Sequence, residues 1–488
     1  MLAPEWLTDL QTPGLACLDA CPPEIIRKIF EFLGPVGLDM VSRTSKYLRA
    51  VAEPLLYANI KWSWEKTRPP PINFLMSKLM QRQDLTRRVK SLAIAADYFD
   101  ENLERSEPLP EIAVAQEQLA EFAARVDAMG VSDRDAWIAE LERGSMDALV
   151  ALLLSQLPNL TSFHLEGGAA RESRFLGQVL NSALCSRNNH SFPTFWRLRD
   201  VLFQPPVPGE LDQPPFPGNV ADVLSFFYLP ALQRLVIGLD SPPLGFAWPG
   251  AAHPECSNLT TMSLSGVREG PLGQILSCTR HLRTLHWEWW YHPVHHGSAL
   301  SSHRRSPATI DLKQIAADLS HVRATLESLT IWAECGVGYY EGDYPALGIR
   351  GSLNALTRFE KLKFFEVPTA FLLGFAADNS KRLEDFIPRN IEHLVLQDDL
   401  WSLEGQYTLT DQDLLLAIED WLERRRDSRE INPCLLRFTL LLRHTDEDDE
   451  EWRQSEQNQL KQLFFNTGVE LSILKYPFDP HPSFLRLP

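Results

Sequence analysis

The sequence lacks the features that mark membrane, secreted and nucleic-acid-binding proteins. No stretch offers about 18 uncharged apolar residues in a row, and the first residues include Glu and Asp where a signal peptide would have an apolar run. Basic residues are in deficit: 47 Lys and Arg stand against 64 Asp and Glu, a net charge of −17. Because such a surface repels phosphate backbones and anionic lipids, we expect no membrane span and neither nucleic acid nor a membrane as a partner.

Cysteine is scarce, and the signatures of catalysis are missing. The seven cysteines are odd in number, scattered and mostly embedded in apolar segments, which predicts reduced thiols and a cytoplasmic or nuclear protein. The sequence contains no Gly-rich phosphate loop, nucleophile elbow or zinc-hydrolase helix. The acidic run 446–451 lacks the glycine and the spacing of a calcium loop. We therefore expect no catalytic residue, no cofactor and no metal.

The N-terminal part of the sequence contains a compact set of helical segments. Pro22, Pro23 and Glu24 suit the first turn of a helix, where a missing amide and an acidic charge are both tolerated. Two adjoining apolar stripes follow: Ile25, Ile29, Phe32 and Leu33 on one, Ile26 and Phe30 on the other. This helix is apolar over more of its circumference than a small domain covers by itself. With the helical stretches after Gly34-Pro35, the unit forms a trio of a size that seldom folds stably without outside support.

The order of residue types in this segment resembles the F-box motif in its fungal form. The matching residues are Leu18, Pro22, Glu24, Ile25, Ile29, Phe30 and Leu33, then Leu38, Ser42, Ser45, Lys46, Leu48 and Arg49, and finally Pro54, Leu56 and Tyr57. Two positions depart from the family pattern: Cys21 stands where Leu is usual, and Gly37 stands where Asp is usual. The alternative is a helical cap whose extra apolar residues pack on the next domain.

The resemblance implies a docking surface for a Skp-type adaptor, and through that adaptor for a cullin. The residues that it assigns to this surface are Leu18, Pro22, Ile25, Ile29, Phe30 and Leu33.

From Val89 onward, one short pattern returns, in which apolar residues occupy the first, fourth and sixth positions. It occurs in VKSLAI, LTSFHL, LRDVLF, LQRLVI, LTTMSL, LRTLHW, LESLTI, LKFFEV, IEHLVL and, with Thr at the fourth position, LRFTLL. Each segment is typical of a short strand with alternate residues inward. Several intervals are close to the period of leucine-rich repeats, about 20 to 29 residues, and helical stretches lie between the strands. We therefore expect an α/β protein with a small three-helix F-box followed by an irregular leucine-rich-repeat solenoid; an ordinary α/β sandwich is the alternative.

The domain boundaries follow from these patterns. We expect an N-terminal tail over 1–16, the F-box over 17–60, a connector over 61–88, the repeats over 89–476 and a C-terminal tail over 477–488. Within the repeats, a helical insertion is expected at about 108–143 and Pro-rich loops at 204–219 and 241–250.

An aromatic and His-rich segment, HWEWWYHPVHHG, begins at His286. We expect Trp289, Trp290, Tyr291 and His292 to lie on an exposed loop that contacts a protein substrate, because Trp and Tyr provide large anchor areas at interfaces. The His spacing matches no closed zinc ligand set. The alternative is that the tryptophans pack on a neighbouring repeat.

These features together suggest the non-catalytic substrate-recognition subunit of an SCF-type ubiquitin ligase, with the repeats binding a protein substrate. The alternative is a leucine-rich-repeat scaffold whose F-box acts outside a ligase complex.

Overall fold

A computed structural model describes residues 18, 21–65, 67–96, 109–186, 192–205, 220–239, 245–291, 308–335, 347–378, 380–400, 407–428, 430–442 and 454–475. Over these residues the chain has an α/β fold, as its sequence predicts. His292, the acidic run 446–451, the C-terminal tail, residues 206–219 of the first Pro-rich loop and residues 241–244 of the second lie outside the described residues. No helix in the described ranges is long and apolar enough to cross a membrane.

Three short helices form a unit of their own at the N-terminus: α1 (Pro23–Phe30), α2 (Pro35–Ser42) and α3 (Lys46–Leu56). Prolines begin the first two helices, and the Ser45 hydroxyl caps the third by accepting the Leu48 N–H at 3.1 Å. The core of this unit is small. It consists of Ile26, Phe30, Leu38, Leu48 and Ala52.

Fourteen strands follow in the described part of the chain. They are β1 (Asn59–Trp64), β2 (Ser91–Ala96), β3 (Ser162–Gly167), β4 (Asp200–Gln204), β5 (Arg234–Gly238), β6 (Thr261–Ser265), β7 (Thr284–Tyr291), β8 (Thr309–Asp311), β9 (Ser328–Cys335), β10 (Gly348–Arg350), β11 (Phe364–Pro368), β12 (His393–Gln397), β13 (Arg437–Leu442) and β14 (Glu470–Lys475). Twelve form one sheet of parallel neighbours whose spatial order equals their order in the chain. Strands β8 and β10 pair separately.

Helical segments connect the strands. They are α4 (Ile72–Gln81), α5 (Gln83–Thr86), α6 (Gln116–Met129), α7 (Arg134–Arg143), α8 (Met146–Leu154), α9 (Arg174–Leu184), α10 (Val220–Val223), α11 (Pro271–Ser277), α12 (Leu312–Leu319), α13 (Thr369–Leu373), α14 (Asp411–Asp427) and α15 (Gln454–Phe464). Helices α6 and α7 occupy the segment in which the sequence predicts a helical insertion. All nine residues of α8 are buried, so this helix lies inside the core.

The same backbone contact recurs from one strand to the next. The carbonyl oxygen of Lys90, just before β2, accepts the N–H groups of Thr161 and Ser162 at 2.7 and 3.1 Å. Ten carbonyl oxygens make this double contact: those of Ala58, Lys90, Thr161, Arg199, Gln233, Thr260, Arg283, Glu327, Lys363 and Glu392. In nine of these steps a buried Leu, Ile or Val precedes the carbonyl-bearing residue, and the strand then adds alternate inward residues. Successive strands are therefore joined by the same pair of backbone hydrogen bonds, and we call each such unit a step.

The structure corrects two boundaries. The sheet begins at Asn59, not at 89, so the expected connector contains most of β1 as well as α4 and α5. At the step that leads into β1, the first position of the repeated pattern is Tyr57, whereas the other steps have Leu, Ile or Val there. Tyr57 packs against the main core, which is the large cluster of buried apolar residues formed by the strands and their connecting helices. The last predicted segment is one residue out of register: Leu435 is 2% exposed, whereas Leu436, its predicted first position, is 59% exposed.

Candidate functional site

Helix α1 presents two apolar stripes to different surroundings. Ile26 and Phe30, four residues apart, are buried in the core of the three-helix unit. Ile25 and Ile29 lie one position earlier on each turn, and both remain exposed. The Tyr47 hydroxyl on α3 donates to the Cys21 carbonyl at 2.8 Å, which fixes the start of α1 against the unit.

The structure corrects the prediction for one of the six residues that the resemblance assigns to the docking surface. Phe30 is 1% exposed and belongs to the core, so it supports the surface and does not contact a partner. Leu33 is half-buried and packs on the same core. Leu18, Ile25 and Ile29 are exposed, and so is Pro22.

The exposed apolar side chains extend beyond those that the motif names. They form what we call the apolar patch: Leu18, Ile25, Ile29, Phe32, Val36 and Met40. Phe32 is 90% exposed and lies in the turn between α1 and α2. Single exposed apolar residues need no explanation, but several within two short helices and their turn mark an interaction surface.

One ion pair joins the three-helix unit to the rest of the chain, and another lies within the unit. The Arg82 guanidinium before α5 lies 3.1 Å from Glu53 of α3 and 2.8 Å from Asp84, and it lowers the pKa of Asp84 through their hydrogen bond. Within the unit, Arg43 pairs with Asp39 of α2 at 2.7 Å; both side chains are largely accessible to solvent, so the pair contributes little to stability.

The second surface is the outward face of the sheet, opposite the main core. On β3 and β4, the His164 Nε2 atom lies 2.8 Å from Asp200 and 3.1 Å from the Ser162 hydroxyl. A nucleophilic triad needs the carboxylate on the other ring nitrogen, so this arrangement is not one. Burial raises the pKa of Asp200, but the hydrogen bond from His164 and the nearby Arg234 guanidinium outweigh it and lower that pKa. These contacts form a local polar network.

The described part of the aromatic segment, from His286 to Tyr291, lies in strand β7 and not on an exposed loop. Trp289 and Tyr291 lie on the inward side of β7 at 0% and 8% exposure, so the expectation that they contact a substrate is wrong. Trp290 points to the opposite face and is half-buried. The alternative reading, in which the tryptophans pack within the fold, describes Trp289.

A buried ion pair, Arg268 with Glu269, contacts the Trp289 ring and was not predicted from the sequence. The guanidinium of Arg268 lies 4.4 Å from the ring centre of Trp289, and it pairs with Glu269 at 2.9 Å. The Trp289 indole N–H donates to Glu269 at 3.0 Å. Burial raises the pKa of Glu269, but the Arg268 hydrogen bond and charge more than offset this and lower it. The only sequence signal is an Arg-Glu pair between two glycines, Gly266 and Gly270, which are both at positive φ.

Within the described residues, no group of three His, Cys, Asp or Glu side chains is placed to hold a metal ion. In the comparisons with known proteins, no protein-family model and no curated protein matches the chain.

Proposed function

We propose that this protein is the substrate-recognition subunit of an SCF-type cullin-RING ubiquitin ligase, acting in the cytoplasm or the nucleus. The observation that carries the proposal is the apolar patch. A unit with only five core residues exposes six apolar side chains on and around α1 and α2. Burial of such anchors against a Skp-type adaptor would supply the support that a helical trio of this size lacks.

The sheet is then the part that holds the substrate. Strand order that follows the chain, the recurring double contact and the buried first residue of nearly every step are typical of leucine-rich repeats. In a solenoid of such repeats, each unit contacts its neighbours and the outward sheet face is available to a partner. This chain would act by proximity, since holding substrate and ligase together raises their effective concentration.

Co-purification with a Skp-type adaptor tests the docking role. Ile29→Asp places a charge in the apolar patch but leaves the buried stripe intact, so we expect the protein to fold and adaptor affinity to fall about 30-fold or more. Leu436→Asp is the matched control, because it makes a similar change at an exposed leucine far along the chain. A folded wild-type chain that fails to bind the adaptor would contradict the proposal.

The cullin distinguishes the ligase from the scaffold alternative. We expect cullin to be recovered together with the adaptor by the wild type and to be lost with it in Ile29→Asp. Recovery of the adaptor without cullin would instead indicate a scaffold that works outside a ligase.

A further inference from the structure

The edge of the sheet at which strands β2 to β7 begin carries an excess of positive charge, although the whole chain has a net charge of −17. The segments that lead into these strands are 87–90, 155–161, 192–199, 224–233, 253–260 and 278–283. Together they contain seven Lys and Arg residues but a single carboxylate, that of Glu255. Six of the seven cations are exposed and form no ion pair with the described residues. We call these six the basic edge: Arg87, Arg88, Lys90, Arg197, Arg199 and Arg280.

Backbone hydrogen bonds arrange this edge along one line. The Lys90 carbonyl accepts the Thr161 N–H at 2.7 Å, and the Thr161 carbonyl accepts the Arg199 N–H at 2.9 Å. The same contact continues across β5 and β6 to Arg283, just before β7. Since neighbouring strands are about 4.8 Å apart, the line from β2 to β7 is about 24 Å long, which an extended chain covers in about seven residues.

The cations of the basic edge form three groups on this line, before β2, before β4 and before β7. The line of positive charge ends at the seventh cation, Arg283, whose guanidinium lies 3.6 Å from Glu327 at the next step. Guanidinium groups bind carboxylates and phosphates through charge-assisted hydrogen bonds. Because the charges are distributed along the edge, they suit several carboxylates on one chain better than a single phosphate group.

An exposed aromatic ring accompanies the middle group. Trp196 is 54% exposed, and the Arg197 guanidinium lies 4.2 Å from the centre of its ring. The preceding residue, Phe195, is 0% exposed and has a φ of 46°, which is uncommon for a residue other than glycine. This turn buries one aromatic side chain and leaves the next one in solvent. Exposed Trp side chains beside Arg are typical of the anchors at protein interfaces.

A short protein segment fits this edge better than a nucleic acid does. Single strands are bound by stacking successive bases on several aromatic rings. Of the Trp, Tyr and Phe side chains in the six described segments, Trp196 alone is exposed. Charges farther away than about 8 Å are largely screened at physiological ionic strength, so a short anionic segment responds mainly to the basic edge. A longer polyanion would also meet the acidic remainder of the protein.

We propose that the basic edge binds an extended, Asp- or Glu-rich segment of a partner protein. Alternate side chains of an extended chain point the same way, so its carboxylates would face the guanidinium groups along the line. The Trp196 ring would contact the segment between two of these carboxylates. That the segment belongs to a ligase substrate rests on the proposed function, whereas the binding itself does not.

Peptide binding to the purified full-length chain tests this proposal without any adaptor. The probe is a fluorescein-labelled peptide of about eight residues in which Glu and Ser alternate, and the reference has Gln in place of Glu. Fluorescence anisotropy should show at least about tenfold tighter binding of the Glu peptide. The net charge of the whole chain would give the opposite order, so this preference can come only from a local basic surface. Failure of adaptor capture would leave this test unaffected, so the two proposals fail independently.

Two matched double variants locate the site. Arg197→Gln with Arg199→Gln removes two exposed charges that form no ion pair with the described residues, so circular dichroism should show an intact fold. We expect this variant to bind the Glu peptide about tenfold more weakly. Arg382→Gln with Arg389→Gln removes two exposed arginines before β12, and its affinity should match that of the wild type. Both variants change the net charge equally, so a difference between them reports the position of the site.

A single-stranded oligonucleotide of similar length serves as the competing polyanion, and we expect it to bind more weakly than the Glu peptide. Equal binding of the two peptides, binding of neither, an equal loss in both double variants, or tighter binding of the oligonucleotide would each overturn the proposal.

Discussion

Adjacent leucines before β13 allow the register of the repeated step to be tested by a single pair of substitutions. Leu435 is buried in the main core, and Leu436 projects into solvent. Three carbonyl oxygens around this turn, those of Asn432, Leu435 and Thr467, accept hydrogen bonds from Arg425 at 3.3 to 3.4 Å, so the surroundings cannot collapse freely around a lost side chain.

The expected loss of stability follows from the difference in burial between Leu435 and Leu436. Leu435→Ala should lower local stability by about 2–5 kcal/mol, because the side chain is almost fully removed from water and leaves a cavity. Leu436→Ala should change it by no more than about 0.5 kcal/mol, since the same atoms are already hydrated.

Hydrogen exchange followed by mass spectrometry on peptides that cover β13 provides the assay. If the strand opens locally, 2–5 kcal/mol corresponds to an acceleration of about 30-fold to several thousand-fold, whereas Leu436→Ala should leave the rate nearly unchanged. The reasoning is refuted if Leu436→Ala accelerates exchange as much as Leu435→Ala, because the register would then be the one that the sequence pattern predicts.

Three further predictions concern other parts of the fold. Phe30→Ala should destabilise the three-helix unit by about 3–5 kcal/mol, whereas Phe32→Ala should leave its stability intact and weaken adaptor capture; circular dichroism and co-purification separate the two. Burial raises the pKa of Asp147 to about 7, so the folded state retains a proton that the unfolded state loses, and stability should fall as pH rises from about 4 to about 7. Urea midpoints across this range should show a weaker pH dependence in Asp147→Asn, and an unchanged slope would contradict the assignment. Trp289→Phe removes a hydrogen bond to Glu269 and should lower the free energy of unfolding in urea by about 1–3 kcal/mol.

The strands were predictable where a single register satisfies the pattern. Leu160, Phe163 and Leu165 are all buried, as the alternation in β3 predicts, and most other strands behave in the same way. The last segment was placed one residue late because adjacent leucines at 435 and 436 and at 440 and 441 suit the first and sixth positions in both registers. Only the fourth position distinguishes them: it is Thr439 in the predicted register and the buried Phe438 in the register that the structure has. Strand β1 was missed because Tyr57 replaces the usual aliphatic residue.

The candidate surfaces depended more strongly on tertiary contacts. The sequence showed that α1 is apolar on two stripes, but the packing of α3 decides that Phe30 is inside and Ile29 outside. Trp289 lies in the main core, where Arg268, about 20 residues earlier in the chain, lies over its ring. No local pattern contains this contact, since propensity and spacing describe neighbours along the chain and not across the fold.

The recurring double contact has a mechanical consequence. Each inner strand is held by backbone hydrogen bonds to the strand before it and the strand after it, so the sheet is a linear array of similar contacts. Peeling β14 from the sheet breaks its hydrogen bonds to β13, and β12 becomes the edge strand only after β13 has also been released. The sheet can therefore lose strands one at a time from this end while the remaining strands stay paired.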